Sequence, residues 1–573
     1  MIEYNVSIGR RNEHLFSFIM KFIVPMENPR IQMASWTPGS YLIRDYARNV
    51  QELKAEISSK PAQLIQESKN TWMILADKGS ELSIEYYVYG LKLTVRTNYL
   101  DNRKGLLIGC NSFFYLLDRD GEPSQAESSL VVDLPSGWKT FTSLRQFDGK
   151  YLAENLDELL DSPIAFAVDE LVDSKNYDYN GIPCTIAVFG DQGNHDINVL
   201  ESDLRKLQDQ SVKFFNELPY DRYFWILFVV DKGGGGLEHM YSNVSITNRF
   251  NFSDPKLYSE KVLRLESHEH FHVYNVKRIR PKPLGPFDYA NEVYTTGLWI
   301  AEGITNFYES IFLLREGIID LKTYFDWKTE DIKRYYSTPG RKLSSLAFSS
   351  FNAWTKLYKS DENTVNSYVS YYLKGGLVGF LLNVHIIKNS NGKYSLDNVY
   401  RYLWTRYKLD MSLGYDEDEF AEIIKQITGV DCSEFFQKYV YGTDELPFQS
   451  YFKYLGVNYT LKEEERNGLD GVVLDGNVVK NVLSSSSWID SALTPKDKII
   501  ALNRYEVTGL ESIKKILTGL KNGSKLIAHV IRDGILLELT GVVNKQIKVP
   551  EISIDKDVDE ATALYRKKIF EGQ

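Results

Sequence analysis

The chain has 573 residues, 43% of them hydrophobic and 25% charged, with a formal net charge of -10 at pH 7. That length holds about three to four domains, the acidic balance argues against a nucleic-acid partner, which calls for a basic surface, and no apolar run reaches the roughly 18 residues of a membrane span. The opening Met1-Ile-Glu-Tyr-Asn-Val6 lacks a charged stretch followed by an apolar core, so no secretory signal is expected and the cytoplasm is the expected location.

The N-terminal part reads as short alternating strands, with residues 82–89 and 91–97 rich in β-formers and turn residues frequent between such runs. Its aromatic segment Trp36-Thr-Pro-Gly-Ser-Tyr41 stands out, and packing is the default role for Tyr41 and Arg44. Near residue 173 the pattern changes. A strand over 184–189 is followed by an amphipathic helix from 196 to about 217, and then by a nearly continuous apolar run over 223–231. Four glycines follow at 233–236. Gly235 and Gly236 let a peptide backbone come close, as when a substrate adds itself to a sheet edge. Glu238 then sits where an ammonium group would arrive, the alternative being a flexible loop with a solvated glutamate.

Residues 268–272 read His-Glu-His-Phe-His. On a helix His268 and His272 share one face, where two imidazoles can bind one zinc ion, with Glu269 close by. Zinc of this kind keeps a position open for water, and a neighbouring carboxylate such as Glu269 can take a proton from that water and pass it to a leaving amine. His270 lies about 200° around the helix and faces away, as a packing residue or one that supports the ligands from behind. After a loop with Pro281, Pro283 and Pro286, apolar residues at helical spacing (Leu298, Ile300, Ile304, Phe307, Tyr308, Ile311) place Glu302 inside a largely buried helix. A buried carboxylate needs a partner, so Glu302 is the expected third ligand, against a structural ion pair. Glu292 is the rival by spacing, but it falls in a polar stretch before the helix. The run from Lys277 to Arg280 is read as structural, pairing with acidic residues, against contact with a peptide carboxylate.

Beyond Glu302 helices are expected over 376–387, 397–407 and 416–427. Near Pro447 short strands return, at 471–475, 498–503 and 525–534, with a helix around 511–518 and a loop at 484–487. The cysteines Cys110, Cys184 and Cys432 lie far apart without CxxC spacing, which suggests neither a disulfide framework nor a thiolate metal site.

Four ordered segments carry a resemblance: Ser35 to Val50, Gly233-Gly-Gly-Gly-Leu-Glu-His239, Ser267 to Pro281 with Leu298-Trp-Ile-Ala-Glu-Gly303, and Ser370-Tyr-Tyr-Leu-Lys-Gly375. Together they resemble the glycyl aminopeptidase family of gluzincin metallopeptidases, whose members carry a C-terminal PDZ domain. The resemblance implies an α+β multidomain chain: a β-rich N-terminal domain (1–172) leaning over the active site, a thermolysin-like catalytic domain with a helical C-terminal half (173–446), and a PDZ domain (447–573). It implies one catalytic Zn2+ on His268, His272 and Glu302, with Glu269 as base and acid. Glu238 would bind the free amino group, although Leu237 and His239 stand where the aminopeptidase N motif has Met and Asn. Tyr372 would stabilise the oxyanion, with Tyr371 beside it as the residue most easily mistaken for it. Ser491 to Asn503 resembles the Ala-Gly-Leu-x-x-Gly-Asp-x-Ile turn of bacterial PDZ domains, departing from it at Ser491, Ala492 and Lys496, and Tyr454 to Val457 is a candidate carboxylate loop.

The function expected is a zinc aminopeptidase acting on peptides with a free N-terminus, glycine or other small residues preferred, with a peptide C-terminus as a further partner at the PDZ domain. A zinc endopeptidase and a non-catalytic PDZ-bearing scaffold are the alternatives. An intact Glu269 speaks against the scaffold, because a structural metal site has no use for a base.

Overall fold

A computed structural model describes residues 1–190, 194–409, 413–465, 468–544 and 546–572. They form two compact units: the first holds Met1–Val293, Tyr308–Ile319 and Leu403–Tyr415, the second Tyr294–Phe307, Asp320–Tyr402 and Asp416–Gln573.

In the first unit the N-terminal strands build an eight-stranded and a four-stranded sheet around a shared core. The strand Glu81–Tyr89 alternates buried and exposed residues along its length, so one face fills that core while the other meets water. Tyr86 stacks on Phe18 at 4.8 Å and meets Phe114 edge-on at 4.9 Å. The strand expected over 91–97 is two strands, Leu91–Thr94 and Thr97–Leu100, paired antiparallel through a tight turn.

Another sheet of this unit, five-stranded, positions the chemistry. Its five strands lie in the order Val172–Tyr179, Ile182–Phe189, Tyr223–Val230, Ser242–Asn248, Gly235–Glu238. Tyr223–Val230 is central and parallel to both neighbours, which is why its sequence is apolar throughout rather than alternating. The glycine-rich strand Gly235–Glu238 runs antiparallel on the outer edge. The helix Ile197–Phe215 begins where the Asp196 side chain accepts from the amides of Asn198 and Val199, and its Leu200, Leu204, Leu207 and Phe214 are buried. A π-helical turn, Tyr258–Leu263, leads into the helix Arg264–Phe271, which ends at His272.

The second unit is helical at first. A π turn, Trp299–Gly303, runs straight into the helix Ile304–Arg315, which is counted with this unit only as far as Phe307, and Leu321–Tyr336, Tyr371–Asn389 and Phe420–Thr428 follow. The helix expected from 416 starts as a short 3-10 turn, Glu417–Glu419. Gly303 and Gly375 face each other so closely that a Cβ on Gly303 would lie 2.5 Å from the Gly375 Cα, so the two helices touch backbone to backbone. After the helix Phe448–Lys453, five strands (Val472–Asp475, Val478–Val482, Lys498–Leu502, Lys525–Arg532, Ile535–Val542) enclose Trp488, Ile499, Leu502 and Val530 together with the helix Leu510–Thr518. Residues 454–457 close the helix Phe448–Lys453 and enter the strand Val457–Glu465, which pairs with Gln546–Ile554. They do not head one of those five strands, as the proposed carboxylate loop would.

All three cysteines are free and buried, and burial pushes the thiols of Cys110 and Cys432 up to about 12. Among the described residues no helix is long and apolar enough to cross a membrane.

Candidate active site

Among the described residues two groups are able to hold a metal ion: His268, His272 and Glu302, and Glu238, Glu269 and His272. Within each, one ligand atom per residue lies within 4.8 Å of the others. They share His272, which joins the expected ligands to the expected base and amine anchor.

The two histidines are oriented for a cation. His268 Nδ1 lies 2.8 Å from a carboxylate oxygen of Glu309, and His272 Nδ1 lies 2.7 Å from the Asn275 carbonyl oxygen. Burial works against charge on Glu309, but the Arg264 guanidinium and His268 outweigh it and hold its pKa below the ordinary carboxylate value. An ionised carboxylate and a carbonyl only accept, so each Nδ1 donates and each neutral ring presents a lone pair at Nε2. Those two Nε2 atoms are 3.0 Å apart. Two lone pairs at that distance repel unless a cation lies between them, and two nitrogens on one tetrahedral zinc stand about 3.3 Å apart. The donor set of two imidazoles and a carboxylate, with a carboxylate behind one ring, is that of a catalytic zinc site. Glu309 follows Glu302 by seven residues on the same helical segment, a spacing that returns to one face and that could have marked it in the sequence. Glu292, the rival ligand, is exposed and lies outside any helix or strand.

Glu269 is buried and pressed against the edge strand. A Cβ on Gly236 would lie 2.0 Å from its Oε1 and 2.3 Å from its Cδ, so only glycine at that strand position leaves room for the carboxylate. Glu238 ends the same strand with 3% of its surface exposed, and its Oε1 has no hydrogen-bond partner among the described residues. Gly39, with φ +84°, packs on it: a Cβ there would lie 2.5 Å from Glu238 Oε1. The loop of the Trp36 motif therefore closes over Glu238. Trp36 and Tyr41 are buried against each other, and Arg44 donates to the Leu42 carbonyl, so packing is what these residues do.

His270 faces away, as expected. Its Nε2 is 2.8 Å from the Tyr220 hydroxyl, its Nδ1 3.2 Å from the Ser211 hydroxyl, and burial pushes its pKa down to about 3. Lys277 is fully enclosed and donates to Asp161 at 2.8 Å, while Arg278 donates to the carbonyls of Val273 and Pro219 and Arg280 lies over the Phe287 ring. The structural reading of that basic run holds.

Tyr372 lies in the first turn of the helix Tyr371–Asn389, with its hydroxyl 3.2 Å from that of Tyr358. Burial, reinforced by the negative charge of Glu302, pushes its pKa well above the usual phenol value, so it stays protonated and able to donate. Tyr358 was not singled out in the sequence; in a chain with 38 tyrosines nothing local distinguishes it.

The family described as M61 glycyl aminopeptidase matches residues 261–378, and the peptidase M61 N-terminal domain matches residues 3–168. An aminopeptidase N family protein from Idiomarina loihiensis has the same fold along its length: TM-score 0.91 at 27% identity, covering 99% of this chain and 100% of that one. The chain is a peptidase. An M1 zinc metallopeptidase from Deinococcus radiodurans is more distant from this peptidase, at 11% identity and TM-score 0.47, covering 78% of this chain and 94% of that one. No curated protein matches the peptidase by sequence.

Proposed function

We propose that this peptidase is a zinc-dependent aminopeptidase that removes N-terminal residues from peptides, small ones such as glycine preferred. The observation that carries the reading is Glu238: a buried carboxylate with an oxygen lacking a partner, beside Glu269 and His272, at the end of an edge strand and under the Gly39 loop. An ammonium group is the donor that such an oxygen lacks. A chain continuing past that carboxylate would have to displace the Gly39 loop packed on it, which favours an exopeptidase over an endopeptidase. The same crowding disfavours bulk on the first residue of the substrate.

In this reading His268, His272 and Glu302 hold the ion, which when bound supplies Lewis-acid polarisation of the scissile carbonyl and of the attacking water. The substrate backbone adds to the strand edge at Gly235 and Gly236, and its amino group meets Glu238. Glu269 accepts the proton of the water and returns it to the leaving amine. Tyr372 donates to the oxyanion as the tetrahedral centre forms. Residues 1–172, 173–446 and 447–573 serve as N-terminal, catalytic and PDZ domains, the last offering a strand edge to a peptide C-terminus.

A panel of aminoacyl chromogenic amides and their N-acetylated counterparts, with chelator and zinc re-addition, tests this. Free-amine glycine and alanine amides are expected to be cleaved, activity to vanish with chelator and return with zinc, and Glu238→Gln to weaken free-amine substrates about 30-fold or more. Equal losses on free and acetylated substrates would remove the assignment.

A further inference from the structure

The segment that carries Glu238 is tied to a group of charges outside the reacting centre. Asp161 follows the short helix Leu156–Leu160, and its carboxylate collects three donors: Lys277 Nζ at 2.8 Å and His239 Nδ1 at 3.0 Å on Oδ1, and the Met240 amide at 2.7 Å on Oδ2. Two of those donors belong to the residues immediately after Glu238. The third, Lys277, is 3% exposed and feels the charges of both Asp161 and Glu238. The turn itself is closed by the His239 amide on the Ser242 carbonyl at 2.9 Å.

This arrangement answers a difficulty in the site. Glu238 and Glu269 are two buried carboxylates with oxygens within 4.8 Å of each other. Like charges so close and so poorly hydrated repel, and among the described residues none donates to Glu238 Oε1. Lys277, which feels the charge of Glu238, supplies the opposite sign. Asp161 in turn holds Lys277 and, through His239 and Met240, fixes the backbone on which Glu238 stands. Within the cluster Lys277 Nζ and His239 Nδ1 both meet Asp161, while His239 Nε2 is buried without a hydrogen-bond partner among the described residues. Asp161 is held down at about 2, burial being outweighed by Lys277 and His239, whereas Lys277 is pushed up because Asp161 and Glu238 outweigh its burial.

We propose that Asp161, Lys277 and His239 are positioning residues for the amine subsite: without touching substrate, they hold Glu238 where it selects a primary ammonium group over a blocked chain end. The inference rests on the aminopeptidase reading given above. It assigns work to the first basic residue of the Lys277–Arg280 run and to His239, which stands where the aminopeptidase N motif has Asn.

The test uses the full chain with one equivalent of zinc and measures binding of glycinamide and N-acetylglycinamide by calorimetry, with steady-state kinetics on a glycine chromogenic amide alongside. Wild type is expected to bind glycinamide far more tightly than its acetylated form. Lys277→Met and Asp161→Asn are expected to weaken glycinamide 10- to 100-fold and raise KM to match, leaving N-acetylglycinamide binding and kcat within about threefold. Lys277→Arg, which keeps the cation, is expected to recover most of the difference. The double variant Asp161→Asn with Lys277→Met removes the Lys277–Asp161 ion pair as a whole, leaving neither of its two charges buried without the other, and it is expected to show the same loss of selectivity. If the double variant is folded by melting temperature and keeps the wild-type preference for glycinamide, or loses both ligands equally, the positioning role is wrong. If wild type itself shows no preference, it is the aminopeptidase reading that fails.

Discussion

Replacing Gly236 with alanine isolates the placement of Glu269. The backbone at Gly236 is one that any residue adopts, so the substitution brings no conformational strain, only a collision: the new Cβ would lie 2.0 Å from Glu269 Oε1, 2.3 Å from Cδ and 2.6 Å from Cγ. Because three consecutive atoms of the side chain are hit, turning the carboxylate does not relieve it. Restoring an ordinary contact requires a shift of about 1.4 Å. A misplacement on the order of 1 Å costs about 100-fold in rate, or about 2.7 kcal/mol of activation free energy, while overpacking costs about 1–3 kcal/mol of stability. Gly234→Ala is the control, since its Cβ would meet nothing closer than the Ile246 carbonyl at 3.8 Å. The measurement is kcat and KM on a glycine chromogenic amide, with zinc content and melting temperature for each variant. A Gly236→Ala enzyme with full zinc and kcat within threefold of wild type would show that the reaction does not depend on Glu269 lying where the strand holds it.

Tyr372→Phe removes a phenol that burial keeps protonated, and kcat is expected to fall about 100- to 1000-fold with KM little changed; a loss confined to KM would point to substrate packing instead. Lys374 is buried with an amine that makes no hydrogen bond among the described residues, and burial pushes its pKa down from 10.5 to about 8. Between pH 8 and 10.5 the unfolded chain therefore binds more protons at this group, so this contribution makes wild-type stability rise with pH across that window. Below pH 8 the buried charge costs its full amount, about 3 kcal/mol. Lys374→Met is expected to melt higher at pH 7 and to flatten the rise above pH 8. Denaturant titrations at pH 7, 8.5 and 10 check this, and an unchanged slope would refute it.

The sequence was sufficient wherever a property is periodic or local. The four-residue interval between His268 and His272 puts both on one helix face whatever surrounds them. The unbroken apolar run of Tyr223–Val230 announces a strand covered on both sides, and the Asp196 cap marks where Ile197–Phe215 begins. Burial of Glu302 followed from the apolar spacing around it. Tertiary structure decided the contacts between distant segments: Gly39 against Glu238, Asp161 with Lys277, Glu309 behind His268, Gly303 against Gly375, Tyr358 beside Tyr372. It also decided that the chain turns between Thr94 and Thr97 instead of running on as one strand. The reason is physical. A single residue's propensity is worth less than 1 kcal/mol and acts on its own turn or strand. Which carboxylate meets which cation depends instead on the path of the whole chain, and is fixed only when the sheets and helices pack.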